Sequence, residues 1–125
     1  MNARFRRSGL AVAGIALFAV AGLAIPGAAV AADDKGNAVV GSCGWDPWND
    51  EGVYGHATTG VNIRSGPGAH CARRGGANSS HSLHYRCYAS DGSGATWTYL
   101  TDESNGVTGW VKDQYLSGGG SFRQC

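Results

Sequence analysis

Near the middle of the chain stands the stretch Thr59-Gly60-Val61-Asn62-Ile63-Arg64-Ser65-Gly66-Pro67-Gly68, in which a short alternating segment runs into a turn. Val61 and Ile63 are two residues apart, so a strand places both β-branched side chains on one face and polar groups on the other. Gly66 tolerates positive φ, and Pro67 has no N–H to offer a sheet, so strand pairing has to stop there. The stretch therefore predicts a half-buried strand that ends in a tight loop.

A second motif lies downstream, in Gly106-Val107-Thr108-Gly109-Trp110-Val111-Lys112-Asp113-Gln114-Tyr115-Leu116. Together the two motifs resemble bacterial SH3-like (SH3b) domains, which carry a strand before Ser-Gly-Pro-Gly and end in a Gly-Lys-Thr-Gly-Trp-Val and Tyr-Leu pattern. The resemblance covers roughly residues 53–116 and implies a small SH3-like barrel with Trp110 and Leu116 mainly in its core. It also implies a role at the bacterial cell wall. The chain departs from the family after the first motif, where residues 71–75 replace an apolar segment.

The first 31 residues read as a secretory signal peptide. Three Arg residues precede an apolar run from Leu10 to Ile25, which is short for a membrane-spanning helix. Small residues follow, and cleavage is predicted after Ala31 or Ala32. We expect a secreted protein, extracellular or associated with the cell wall, with no membrane attachment after cleavage.

The exported chain is long enough for one small domain and no more. Loss of the three Arg leaves seven basic and nine acidic residues, a net charge of −2. The only basic cluster is Arg73-Arg74, so we expect no nucleic-acid partner. We expect a monomer.

All four cysteines, Cys43, Cys71, Cys87 and Cys125, follow the signal peptide. An even number in a small exported chain predicts two disulfides. No pair has the Cys-x2-Cys spacing of a zinc site, so we expect no metal and no other cofactor. Three connectivities are possible. The resemblance to a barrel with neighbouring chain ends favours Cys71–Cys87 with Cys43–Cys125, while Cys71–Cys125 stays open.

The organisation after the signal peptide is an all-β one. We predict an irregular arm over 32–52, a domain over 53–116 and a C-terminal tail over 117–125 that ends in a disulfide cysteine. Short runs between Gly, Asn, Asp and Ser predict five strands at 53–58, 61–64, 82–89, 95–101 and 107–112. Asp91-Gly92-Ser93-Gly94 is a hairpin signal, and Asn105-Gly106 is another.

The segment 65–81 shows no strand pattern and predicts a surface loop that forms one wall of a binding groove. Gly118-Gly119-Gly120-Ser121 predicts a flexible tail. Among the histidines, His84 should face outward between Leu83 and Tyr85, and His70 and His81 have no partner in view.

The sequence predicts no enzyme. Cysteines consumed in disulfides leave no nucleophilic thiolate, and no Ser stands in a Gly-x-Ser-x-Gly elbow between a strand and a helix. Asp102 and Glu103 are adjacent and would point to opposite faces of a strand, which is a poor acid–base pair.

Aromatic side chains are the better candidates for ligand contacts, because a flat ring stacks well on peptides and sugars. Trp97 and Tyr99 share one strand face between threonines. The candidate contacts are Trp45, Trp48, Tyr54, Trp97 and Tyr99.

The functional hypothesis is a secreted, non-enzymatic SH3b-like binding module that recognises peptidoglycan through its stem or cross-bridge peptides. The alternative is a secreted interaction or inhibitor-type factor that binds another exported protein through the Arg73-Arg74 loop.

Overall fold

A computed structural model describes residues 35–125, and the predicted signal peptide and cleavage position lie outside the described residues. Within 35–125, no helix has the length and apolar character needed to cross a membrane. Six strands and two short 3-10 helices form the domain: β1 Val53–Gly55, β2 Val61–Arg64, β3 Arg73–Ala77, β4 Leu83–Ser90, β5 Thr96–Asp102, β6 Thr108–Lys112, then Asp113–Tyr115 and Ser117–Gly119.

The strands make one antiparallel sheet in the order β1-β4-β5-β6-β2-β3. The all-β prediction is confirmed. The sheet is barrel-like but does not close, because β1 and β3 stand at its two ends. The predicted hairpin at Asp91-Gly92-Ser93-Gly94 joins β4 to β5, with positive φ at both of its glycines.

The prediction of a surface loop over 65–81 is wrong, because β3 lies inside it. The sequence hides this strand because it lacks alternating apolar residues. It is held by pairing with β2, where Ile63 lies opposite Gly75 and Val61 opposite Ala77. A methyl group at Gly75 would lie 3.0 Å from a methyl of Val107, so the absence of a side chain at Gly75 lets Val107 pack closely against β3.

Two hydrophobic cores form where the sheet is covered. The aliphatic core consists of Ala57, Ile63, Ala77, Leu83, Tyr85, Leu100, Val111 and Leu116. The aromatic core consists of Cys87, Ala89, Trp97, Tyr99 and Trp110, with Trp45 and Cys125 packed against it. The two motif residues Trp110 and Leu116 are both buried, as the resemblance implied.

A β-bulge in β4 allows one strand to serve both cores. Tyr85 pairs with Leu100 and Cys87 pairs with Tyr99, which leaves Arg86 as an extra residue. The extra residue reverses which face of the sheet the following side chains occupy. Tyr85 therefore enters the aliphatic core, while Cys87 enters the aromatic core. The carbonyl of Arg86 accepts the N–H of Glu51, which ties the arm to the bulge.

All four cysteines form disulfides, as predicted, but the favoured connectivity and its alternative are both wrong. The bonds are Cys43–Cys71 and Cys87–Cys125. The arm and the tail do lie close, since the N–H of Val39 donates to the side chain of Gln124 over 2.9 Å. Cys43 of the arm is nevertheless bonded to Cys71 in the turn between β2 and β3, and Cys125 of the tail is bonded to Cys87 on β4.

The turn after β2 explains the first bond. A methyl group at Gly66 would come within 2.5 Å of the Cα of Cys43, so the arm passes directly over this turn and meets Cys71. Gly66 does not adopt the positive φ that a glycine tolerates. Its small size is needed for the close approach of the arm.

The tail is not the flexible segment that its glycines predicted. Its backbone runs beside β4, where the N–H of Cys125 donates to the carbonyl of Tyr88 over 2.9 Å. Ser121 is fully buried and donates its hydroxyl to Glu51 over 2.7 Å. These contacts bring Cys125 to Cys87 and cover the aromatic core.

Candidate functional site

A groove of about 410 Å³ lies between β2, β6 and the turn that follows β4. Its apolar lining comes from Val61, Val111, Trp97 and Tyr115. Its charged lining comes from Arg64, Asp91 and Lys112. The groove therefore combines ring and aliphatic surface with charges of both signs.

The acidic side of the groove is fixed by the β4–β5 turn. Asp91 accepts the N–H and the hydroxyl of Ser93 over 2.8 and 2.6 Å, and the indole N–H of Trp97 over 3.1 Å. Burial acts to raise the pKa of Asp91, but these hydrogen bonds outweigh it and hold the pKa below its ordinary value. Asp91 therefore stays a carboxylate at neutral pH and anchors the edge of the Trp97 ring.

The basic side comes from the ends of two neighbouring strands. Arg64 ends β2 and pairs across the sheet with Trp110 on β6, and Lys112 ends β6. One guanidinium nitrogen of Arg64 donates to the carbonyl of Cys71 over 3.0 Å. This bond holds the guanidinium in place and leaves its other N–H groups for a ligand.

Tyr115 is placed by the 3-10 helix that follows β6. The N–H of Thr58 donates to the carbonyl of Tyr115 over 2.8 Å, which fixes the backbone at this position. The Tyr115 side chain is 39% exposed, so part of its ring faces solvent at the groove. Of the 65–81 segment, Ala69 lines the groove, a smaller contribution than the predicted wall.

The five predicted ligand contacts are not brought together. Trp97 lines the groove but is only 5% exposed, and Tyr99 is 6% exposed in the aromatic core. The expectation of two open rings on β5 is therefore not met, because the arm and the tail cover that face of the sheet. Trp45 stacks on Trp110 with ring centroids 5.5 Å apart, so it serves the core.

Trp48 and Tyr54 are open to solvent, with 96% and 58% exposure, and neither lines the groove. Tyr54 packs on His84 with ring centroids 4.7 Å apart. The sequence reasoning missed Tyr115, Lys112 and Asp91, although all three lie in motifs that it had singled out. In the sequence these motifs indicate turns and core packing, and not ligand contacts.

The histidines have more partners than the sequence indicated. His84 lies on the face opposite Tyr85, as predicted, but it contacts Asp50 over 2.7 Å. His81 was expected to have no fixed partner, and its Nδ1 lies 2.5 Å from a carboxylate oxygen of Asp102. His70 lies beside Cys71, whose sulfur is engaged in a disulfide, so this site offers no thiolate for a metal.

No protein-family model matches the chain, and the searches of curated proteins and of solved structures find no match either. The two disulfides indicate an oxidising, extracellular environment.

Proposed function

We propose that this protein is a secreted, non-enzymatic binding module that holds a peptidoglycan peptide in the groove between β2, β6 and the Asp91 turn. The observation that carries the proposal is the juxtaposition of Tyr115 and Trp97 with the acid Asp91 and the bases Arg64 and Lys112. The resemblance of the two sequence motifs to SH3b domains supplies the cell wall as the place of action.

The chemistry of the groove suits a short peptide that carries charges of both signs. Stem and cross-bridge peptides present carboxylates, free amines and small apolar side chains. Arg64 and Lys112 complement a carboxylate, Asp91 complements an amine, and the ring of Tyr115 offers a flat surface for a peptide unit or a methyl group.

The disulfide bonding of the cysteines supports a binding function without catalysis. All four are in disulfides, which removes the thiol nucleophile that cell-wall peptidases commonly use. We propose no cofactor and no metal for the binding function.

Sedimentation with purified sacculi tests the proposal. The exported protein should pellet with sacculi, and Tyr115→Ala should weaken retention about 5- to 30-fold, since an exposed anchoring ring contributes about 1–2 kcal/mol. Tyr54→Ala is the matched control, because it removes an exposed tyrosine ring that does not line the groove. The proposal that the groove binds the wall peptide would be refuted if both variants lost retention equally, or if the wild type were not retained by sacculi.

A second candidate is a factor that binds another exported protein through β3. This strand is an edge of the sheet, and edge strands accept a further strand from a partner. Arg74 on this edge is engaged with Asp46 over 2.8 Å, and Arg73 with Asn62 over 2.8 Å, so both are held in place. A protein captured by the exported chain, together with loss of sacculus retention, would favour this candidate.

A further inference from the structure

A second pocket, of about 400 Å³, lies on the β2–β3 pair and takes no part in the groove function. Asn62, Arg73, Asn78 and His81 supply its polar lining. It meets the groove only at residues 60–62, where β2 begins. Its polar side chains are hydrogen-bonded to one another or to neighbouring residues, and the groups left over determine which ligand they can bind.

The amide oxygens of the pocket are already engaged. Asn62 accepts the Nε–H of Arg73 over 2.8 Å through its Oδ1. Asn78 accepts the N–H and the hydroxyl of Ser80 over 2.9 and 2.6 Å through its Oδ1. Asn78 uses both lone pairs of its amide oxygen internally and Asn62 uses one of two, while the N–H donors of both amides remain for a ligand.

Arg73 adds further donors. A methyl group at Gly76 would lie 3.1 Å from Nη2 of Arg73, so the guanidinium rests over the glycine. The bond from Nε to Asn62 leaves the two terminal nitrogens of the guanidinium for a ligand.

His81 is oriented by a buried carboxylate. Its Nδ1 faces Asp102, which is fully buried and also accepts the N–H of Ser104 over 2.8 Å. The carboxylate holds the hydrogen on Nδ1, so Nε2 is the ring nitrogen that remains for the pocket.

We propose that this pocket binds a singly charged oxyanion, of the carboxylate or phosphodiester type. The remaining hydrogen-bonding capacity of Asn62, Arg73 and Asn78 consists mainly of donors, which is what oxyanions need. Arg73 supplies one positive charge that is not offset within the pocket, so a monoanion is the best match. The proposal does not depend on the peptide groove.

Titration of the isotope-labelled exported protein, followed by amide chemical shifts, tests this site. The probes are dimethyl phosphate, N-acetyl-dialanine with a free carboxylate, and the uncharged amide of the same dipeptide. We expect saturable shifts at residues 60–62, 73–78 and 81 with one or both anions and none with the amide. The anion that binds more tightly shows whether the natural ligand is a phosphodiester or a carboxylate.

Two variants and one control make the test specific. Arg73→Gln and Asn78→Asp should each weaken anion binding at least tenfold, and Asn78→Asp keeps the oxygen that Ser80 uses, which protects the fold. Arg123→Gln removes an equal charge at an exposed position outside the pocket and should leave binding unchanged. Shifts scattered over all basic residues, equal losses in Arg123→Gln, or no saturable shift with either anion would overturn the proposal.

Discussion

The aliphatic core and the aromatic core are built from different parts of the chain. The aliphatic core takes its side chains from the strands, the Ala57 bridge and Leu116, all between residues 53 and 116. The aromatic core needs Trp45 from the arm and Cys125 from the tail, which lie outside the segment that resembles SH3b domains. One core therefore follows from the sheet, while the other depends on two irregular segments.

This difference shows how a small domain with few apolar residues is completed. A sheet with a single covered face leaves aromatic side chains exposed on the other face. Here the arm and the tail cover that face, and a disulfide holds each of them to the sheet. The added segments convert rings that would otherwise be exposed into a second core.

Reduction of both disulfides should have the largest effect on stability. Each bond contributes about 2–4 kcal/mol, in a domain whose total stability is about 5–15 kcal/mol. At about 4–8 °C per kcal/mol, the melting temperature should fall by well over 10 °C. A thermal melt with and without reductant measures this, and an unchanged melt with reduction verified by mass would show that the cores hold alone.

Leu100→Ala should have the second-largest effect on stability. Leu100 is fully buried in the aliphatic core, and such truncations cost about 2–5 kcal/mol. Urea unfolding of the protein measures the loss, with Val40→Ala as a control at a position that is 67% exposed. A loss below about 1 kcal/mol for Leu100→Ala would mean that the aliphatic core does not hold the domain together.

Trp45→Ala should cost less, about 1–2 kcal/mol, because the ring is only half-buried and the arm remains tied by Cys43–Cys71. The control is Trp48→Ala, which removes a ring that is 96% exposed and should change stability by less than about 0.5 kcal/mol. Urea unfolding of both variants gives the comparison. Equal effects would show that the arm does not complete the aromatic core.

The smallest expected effect is the loss of folding stability at acidic pH when the Asp46–Arg74 ion pair is broken. The hydrogen bond from Arg74, opposed by burial, holds the pKa of Asp46 below its ordinary value of 3.8. A carboxyl whose folded pKa is lowered stabilises the fold above its unfolded pKa, and this stabilisation is lost as pH falls through the folded pKa. Since the pair is largely exposed, its contribution is below about 1 kcal/mol.

Asp46→Asn should therefore lower stability slightly at pH 6 and reach the wild-type value well below pH 3.8. Urea unfolding at several pH values measures the difference. A difference that is constant across this range would show that the Asp46 charge does not tie the arm to β3.

The sequence predicted the parts of the fold that local patterns determine. The alternation of Val61 with Ile63 and the Asp-Gly turn at Asp91 placed β2 and the β4–β5 hairpin correctly. The strand β3 could not be predicted from its own residues, because Gly75 and Gly76 carry no side chains and pairing with β2 holds them. The bulge at Arg86 cannot be predicted from the local sequence either, and it determines which core Cys87 enters.

The candidate site was harder to predict, because exposure depends on segments distant in sequence. Trp97 and Tyr99 share a strand face, as expected, but the arm and tail that bury them have no periodic pattern. Tyr115 and Lys112 were visible within the second motif. Their position beside Asp91 becomes apparent only once β5, β6 and the 3-10 helix are assembled.

Peptide binding in the groove can be tested by mapping amide chemical shifts while soluble wall peptides released from sacculi are added to the isotope-labelled protein. We expect saturable shifts along the groove, at residues 61–64, 91, 97 and 111–115. Shifts confined to Trp48, Tyr54 and His84, with none at the groove, would contradict this expectation and return the binding site to the exposed rings of the arm and β1.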